Sequence, residues 1–232
     1  MKYCNYICYD YILDCINKNP YDIIMFKKEH LNHKIVLAAV SRVGDLLRYT
    51  RNELQTEEIC IAAVSNNGLS IRYADYNSHE IIMTALRQNG LALEYVWAEL
   101  QTYEMCLAAV TQNGLALEYV RDDLQTSEMV LIAINQGYES FKFLREDLMT
   151  YYLCMLAINI DGNNLSYICK SKQTPEMCIE AIRNNKDSIE FVEILEEHPY
   201  IAMVAYELYG KDIFNKLERT KIVKDILTSL DI

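Results

Sequence analysis

Cysteine and histidine are the residue types in this chain that could bind a metal, and the 232 residues include eight and four of them. Zinc is held by thiolate and imidazole groups at characteristic spacings. Cys4 and Cys8 lie one helical turn apart, and His30 and His33 follow downstream, so these four side chains form a candidate zinc site. Their spacing matches no common zinc finger, and the cysteine pair is not C-x-x-C. We therefore expect no metal and no cofactor, with this zinc site as the alternative.

The sequence lacks the common catalytic motifs. It contains no Gly-rich phosphate-binding loop and no G-x-S-x-G element for a nucleophilic serine. His79 and Glu80 begin an H-E-x-x-H pattern, but Met83 stands where the second histidine is required. Two pairs of adjacent carboxylates fall at polar positions and are predicted to be solvated: Asp122 and Asp123, and Glu196 and Glu197. We expect a protein that is not an enzyme.

The composition indicates a folded, acidic and helical protein. Hydrophobic residues make up 51 %, which is enough for a core, whereas 7 Gly and 3 Pro are too few for the tight turns of a β-sandwich or barrel. The net charge of −11 repels phosphate groups, so we expect neither nucleic acid nor a membrane surface as a partner. No apolar run approaches the roughly 18 residues of a membrane span.

A repeat of 24 residues runs through the chain. Residues 80–103 and 104–127 align without gaps, and the same pattern extends to nine repeats. We number the positions of each repeat from 0. Repeats 1 to 9 begin at Asp10, Lys34, Glu58, Glu80, Glu104, Glu128, Tyr152, Glu176 and Tyr200. Every step is 24 residues except a step of 22 between repeats 3 and 4.

The first half of each repeat is predicted to be an amphipathic helix. Apolar residues at positions 2, 3, 5 and 6 form one stripe, and the alanine that recurs at position 5 indicates close helix packing. A Thr, Asn or Ser two residues before position 0 is typical of a helix N-cap, and Pro175 and Pro199 are expected at first helical positions. Six of the seven glycines lie at position 10, where we expect helix ends in the left-handed conformation.

The second half of each repeat is predicted to be a helix of about eight residues, followed by a loop that a leucine at position 20 anchors. Hairpins this short bury a core only by stacking on their neighbours. The sequence therefore predicts an all-α fold, an α-solenoid of about nine 24-residue helical-hairpin repeats. We expect a single repeat domain over residues 1–232, with an N-terminal cap at 1–9, repeats at 10–223 and a C-terminal cap formed by the last turns to residue 232.

Five of the eight cysteines fit this register, and one of them, Cys15, stands at position 5 in place of alanine. Position 2 holds Cys60, Cys106, Cys154 and Cys178. Other repeats place Val, Ile or Ala there, so cysteine behaves as a small buried hydrophobe. Equivalent positions in packed neighbouring repeats lie about 10 Å apart, beyond the ~7 Å limit of a disulfide. We expect reduced thiols and hence an intracellular, reducing compartment.

The most regular stretch of the repeat sequence resembles a known family. The pattern x-Q-N-G-x-A-L-E-Y-V, followed by D-L-Q and an apolar helix, is clearest at residues 88–96 and 112–120. It resembles the tandem repeats of domain-of-unknown-function family 4116, most strongly from about Lys34 to Thr150. Such repeats are found in giant viruses of amoebae and in bacteria living inside protists, which implies the host cytoplasm or the virion. The family has no established activity, so the resemblance implies a repeat scaffold and no catalytic residue.

Position 17 provides the candidate binding residues. It is mostly polar, but repeat 4 has Trp97 there, the only tryptophan, and Arg121 and Arg145 follow in the next two repeats. Tryptophan and arginine are enriched in interface hot spots, so we expect Trp97, Arg121 and Arg145 to contact a partner. Alternatively, Trp97 folds over a neighbouring repeat. We expect a non-enzymatic scaffold that binds a protein or peptide partner or, alternatively, a self-associating virion or assembly component that forms a homo-oligomer.

Overall fold

The structure is a computed structural model that describes residues 9–75 and 78–213. These residues form nine α-helices, one in each predicted repeat, and contain no strand. The helices are α1 (Tyr9–Lys18), α2 (His33–Val40), α3 (Glu57–Asn66), α4 (His79–Gln88), α5 (Tyr103–Gln112), α6 (Ser127–Gln136), α7 (Tyr151–Ile160), α8 (Pro175–Asn184) and α9 (Tyr200–Tyr209). The predicted all-α repeat fold is confirmed. Both predicted caps, at 1–9 and at the C-terminus, fall almost entirely outside the described residues.

Helix starts follow the predicted capping pattern. In α5 the Met105 N–H donates a hydrogen bond of 3.3 Å to the Thr102 hydroxyl, which satisfies a donor that the helix itself leaves free. The same cap begins six other helices, through Asn32, Thr56, Ser78, Thr126, Thr150 and Thr174. Pro175 is the first residue of α8, as predicted, whereas Pro199 lies one residue before α9, at its N-cap.

The second element of each repeat is shorter than the predicted helix of about eight residues. It is a 3-10 helix, usually of six residues, such as Gly90–Tyr95 after α4. Asn89 is the single residue between α4 and this 3-10 helix. It caps the start of the 3-10 helix by accepting a hydrogen bond of 3.1 Å from the Leu91 N–H. Several repeats then add a three-residue 3-10 turn, such as Ala98–Leu100. Short 3-10 segments are the usual form of so tight a connection.

In α2 to α8 the buried stripe contains positions 1, 2, 5 and 6, and not positions 2, 3, 5 and 6 as predicted. In α5 these positions are Met105, Cys106, Ala109 and Val110, each at most 3 % exposed. Leu107, at position 3, is only half-buried. Residues four apart share a helix face, so the close contact at the position-5 alanine brings position 1, and not position 3, into the core.

The described contacts divide the chain into two compact units, Met1–Gln125 and Thr126–Ile232. In the N-terminal unit, α1 to α4 each pack on the next helix; in the C-terminal unit, α7 packs on α8 and α8 on α9. Side-by-side stacking of successive repeats is thus the architecture within each unit, while the single-domain organisation over residues 1–232 stays a prediction. Among the helices that the structure describes, none is both long enough and apolar enough to cross a membrane.

Candidate functional site

Four of the six glycines at position 10 allow a close approach between repeats, and none of these four has a positive φ. A Cβ atom on Gly90 would lie 2.2 Å from the carbonyl oxygen of Ala109, the position-5 alanine of the next repeat. The same approach occurs at Gly44, Gly68 and Gly162. Of the glycines in the described part of the chain, only Gly210 has a positive φ, 62°. The predicted left-handed role is wrong at Gly90, where Asn89, with φ −151°, makes the turn in an extended conformation, but it is confirmed at Gly210, the position-10 glycine that ends α9.

A side-chain amide from the following repeat completes each of these joints. The Gly90 N–H donates to Gln112 Oε1, and Gln112 Nε2 donates to the Gln88 carbonyl oxygen at 3.4 Å. Equivalent bonds link Gly44 to Asn66, Gly68 to Gln88, and Gly162 to Asn184. An amide side chain suits this joint because its oxygen accepts while its nitrogen donates. The Q-N-G motif is therefore a structural joint: its first residue bonds the preceding repeat, its second caps the 3-10 helix, and its third permits the contact.

The first joint contains a matched exception. Pro20 stands at position 10 of repeat 1 and has no N–H to donate. The residue at position 8 of repeat 2 is Arg42, whose guanidinium only donates. Its Nη1 donates to the carbonyl oxygens of Ile16 and Asn17 at 3.1 and 2.8 Å. Repeat 1 thus lacks the N–H donor at position 10, and repeat 2 lacks the side-chain acceptor at position 8 that would pair with it.

Position 21 holds a buried glutamine whose role the sequence interpretation missed. Gln101 is 8 % exposed, and its Nε2 donates to the carbonyl oxygens of Val96 and Tyr119, at 3.4 and 2.9 Å. Its Oε1 accepts from the Arg121 N–H at 3.0 Å. Gln173 makes the equivalent bonds to Ile168, Phe191 and Glu193. One amide therefore joins the loop of a repeat to the backbone of the next repeat.

The leucine at position 20 is not the loop anchor that was predicted. Leu100 is 43 % exposed. The other position-20 leucines are half-buried: Leu54, Leu124 and Leu148. A signal for the true anchor was present in the sequence, because glutamine recurs at position 21. These residues are Gln55, Gln101, Gln125 and Gln173.

The position-2 cysteines are buried, free thiols, as predicted. Cys60, Cys106, Cys154 and Cys178 are each at most 1 % exposed. Burial raises the pKa of the Cys106 thiol to about 11 and that of Cys178 to about 12. At neutral pH these thiols are protonated and unreactive, so they serve as small core residues.

The candidate zinc site is only partly covered by the structure. His33 Nε2 lies 3.2 Å from Glu58 Oε2, and His30 Nε2 lies 3.7 Å from Glu29 Oε1. Cys4 and Cys8 lie outside the described residues, so the zinc alternative stays a prediction. Within 9–75 and 78–213, no three His, Cys, Asp or Glu side chains are grouped so that they could hold a metal ion.

Arginines and tyrosines alternate along one surface of the N-terminal unit. The Arg48 guanidinium lies 5.2 Å from the ring centre of Tyr49 and 5.4 Å from that of Tyr73 in the next repeat. Arg72 lies 4.7 Å from the Tyr73 ring centre and 3.6 Å from Asp45. Such cation–π contacts stabilise neighbouring repeats by about 0.5–1 kcal/mol at exposed sites. Both guanidinium groups therefore already interact with aromatic or acidic side chains of this chain.

The two predicted binding arginines also make internal bonds. Arg121 Nε and Nη2 donate to the carboxylate of Asp123, and Nη1 donates to the Ala98 carbonyl oxygen at 2.9 Å, next to Trp97. Arg145 donates to Asp147 through the same two nitrogens, at 3.0 and 2.7 Å. Arg121 belongs to the N-terminal unit and Arg145 to the C-terminal unit. Their contact with a partner stays a prediction.

Trp97 is the exposed member of the predicted set. Its side chain is 72 % exposed, so it does not fold over a neighbouring repeat. It lies at a surface groove of about 710 Å³, which Ile71, Arg72, Tyr95 and Leu100 also line. The groove combines residues of repeats 3 and 4. An exposed aromatic ring at this groove lies beside both apolar and charged neighbours.

A family model described as Domain of unknown function (DUF4116) matches residues 32–79, 56–101, 78–125 and 102–149, which together cover just over half of the chain. The chain belongs to this family. The resemblance inferred from the Q-N-G pattern is confirmed. Each DUF4116 match spans about two repeats, and the first three matches each contain both halves of a glycine–amide joint. Comparison of this DUF4116 chain with curated proteins and with solved structures finds no match.

Proposed function

We propose that this DUF4116 protein is a non-enzymatic helical scaffold that binds a protein or peptide partner at the groove beside Trp97. The main support is the 72 % exposure of Trp97, because burying an indole on binding contributes more than burying most other side chains. Keeping the apolar indole ring in contact with water costs free energy. A partner that covers Trp97 removes that cost.

The use of the other motif residues supports a binding role over a catalytic one. The Gln, Asn and Gly of the repeats make joints, the position-21 glutamines hold loops, and the four position-2 thiols are protonated in the core. These residues are therefore committed to architecture. The groove beside Trp97 is an open surface formed by two stacked repeats, as in other solenoids that bind partners along an extended face.

Trp97→Ala is expected to reduce partner recovery at least tenfold in affinity capture from the native host, because a hot-spot residue contributes about 2 kcal/mol or more. Each protein recovered is identified by mass spectrometry, and its binding is measured again with purified chains. Tyr152→Ala is the control, since Tyr152 is 67 % exposed and outside the groove. Both variants should keep the helical circular dichroism. Undiminished binding by the Trp97 variant would rule out this face.

Exposed apolar residues in repeat 1 favour a second function, self-association. Tyr11, Tyr21 and Met25 are 63 %, 55 % and 83 % exposed. If this surface assembles copies of the chain, light scattering should show a mass that rises with concentration, and Met25→Asp should abolish the rise. A mass that stays at 27.0 kDa over the whole concentration range would exclude self-association.

A further inference from the structure

The groove beside Trp97 carries unmatched negative charge. Among the described residues that line it, the one cation is Arg72, which lies 3.6 Å from Asp45 and is already paired. Asp75 and Glu94 line the groove and are exposed. In the described part of the chain neither carboxylate forms a salt bridge. The groove therefore presents acidic groups together with an aromatic ring.

The repeat register indicates which group this surface lacks. At position 17, Arg121 pairs with Asp123 at position 19 of the same repeat, and Arg145 pairs with Asp147 in the same way. Repeat 4 keeps an acidic residue at position 19, Glu99, but has Trp97 in place of the arginine. Glu99 is exposed and has no salt bridge to any of the residues in 9–75 and 78–213. Repeat 4 thus retains the carboxylate without an arginine at position 17. The charge of Arg121 acts on Glu99, but its guanidinium is already bonded to Asp123 and to the Ala98 carbonyl oxygen.

An indole beside carboxylates is a suitable site for a guanidinium group. The face of the ring carries negative partial charge and attracts cations, most strongly for tryptophan. A guanidinium also stacks on an aromatic plane and pairs with a carboxylate through two N–H groups, which an ammonium group cannot do. The net charge of −11 adds a long-range attraction for basic segments.

We propose that the groove binds a basic peptide segment of the partner, with an arginine side chain stacked on Trp97 and paired with Glu94, which lines the groove, and with Glu99, two residues after Trp97. An apolar residue next to that arginine packs on Ile71 and Leu100, which line the same groove. The partner's arginine thereby supplies the cation that positions 17 and 19 of repeat 4 lack. This inference rests on the proposed function, and it specifies the chemistry of the partner.

The intrinsic fluorescence of Trp97 tests the proposal directly, because no other tryptophan contributes to the signal. The full chain is titrated with a capped Leu-Arg-Leu peptide and with matched peptides that have citrulline or glutamate in place of arginine. We expect a saturable change of emission with the arginine peptide, with a dissociation constant on the order of 1 mM. The citrulline peptide should bind at least fivefold more weakly and the glutamate peptide weaker still. Added salt should reduce arginine binding.

The Glu94→Gln/Glu99→Gln double variant is expected to bind the arginine peptide about fivefold more weakly. Glu118→Gln is the matched control, since Glu118 occupies position 14 of the next repeat as Glu94 does of repeat 4, and it should leave binding unchanged. Equal binding of the arginine and citrulline peptides, or no saturable change with either, would overturn the arginine assignment. Partner capture that still depends on Trp97 would then leave the proposed scaffold function standing, so the two failures are distinguishable.

Discussion

Replacing Gly162 by alanine is expected to lower the free energy of unfolding by about 3 kcal/mol, the upper part of the range for overpacked sites. The new Cβ atom would lie 2.2 Å from the Ala181 carbonyl oxygen and 2.6 Å from Ser188 Oγ. The Ala181 oxygen belongs to the backbone of α8, so relief requires a shift of the whole helix. That shift would also lengthen the 2.8 Å bond from the Gly162 N–H to Asn184. Urea unfolding followed by far-ultraviolet circular dichroism measures the loss.

Gly137→Ala is the matched control in the same unit. No atom lies within 4 Å of a Cβ built on Gly137, and its φ of −179° is extended backbone that any residue adopts. Alanine there should change stability by less than about 1 kcal/mol and in the stabilising direction, because it restricts the unfolded chain. Equal losses for the two variants would mean that the contact with Ala181 is not what requires glycine.

Gln101→Ala is expected to cost about 2–4 kcal/mol of stability. The substitution leaves the carbonyl oxygens of Val96 and Tyr119 and the N–H of Arg121 without their side-chain partner, and each buried polar group that loses its hydrogen bond costs about 1–3 kcal/mol. Water entering the space offsets part of this cost. Thermal and urea unfolding of the purified variant provide the measurement.

Leu100→Ala, one residue earlier, distinguishes the two possible anchors of the loop. Leu100 is 43 % exposed, so truncation should cost no more than about 1 kcal/mol. A loss for Leu100→Ala that matches or exceeds the loss for Gln101→Ala would restore the leucine as the anchor and contradict the hydrogen-bond pattern of Gln101.

The sequence was sufficient to predict features that lie within one repeat. Helix starts at Thr102 and its equivalents depend on a hydroxyl at a fixed distance before an apolar helix, and the burial of Cys106 follows from its exchange with Val and Ile. Such features require only residue type and spacing. The all-α repeat fold follows from them, because each short hairpin leaves an apolar face that another copy must cover.

Contacts between repeats could not be predicted in the same way. The pattern identified Gly90 as special, yet the carbonyl oxygen of Ala109 that excludes a side chain belongs to another repeat. Gln101 looked like a polar loop residue because its partners, Tyr119 and Arg121, are also in the next repeat. Likewise, the sequence identified Trp97 as the exception at position 17, but its exposure depends on how the surrounding loops pack.

The donor and acceptor matching at the joints restricts how such an array can change in length during evolution. When a segment is duplicated or lost, position 10 of one repeat meets position 8 of a repeat that was not its neighbour before. Any glycine at position 10 can form the joint with any Gln or Asn at position 8. Pro20 would leave a transplanted Gln or Asn without its donor, and Ile160, at position 8 of repeat 7, offers a neighbouring glycine no acceptor. We therefore expect duplication or loss of a repeat to be best tolerated where Gly44, Gly68 and Gly90 recur, in the interior of the N-terminal half.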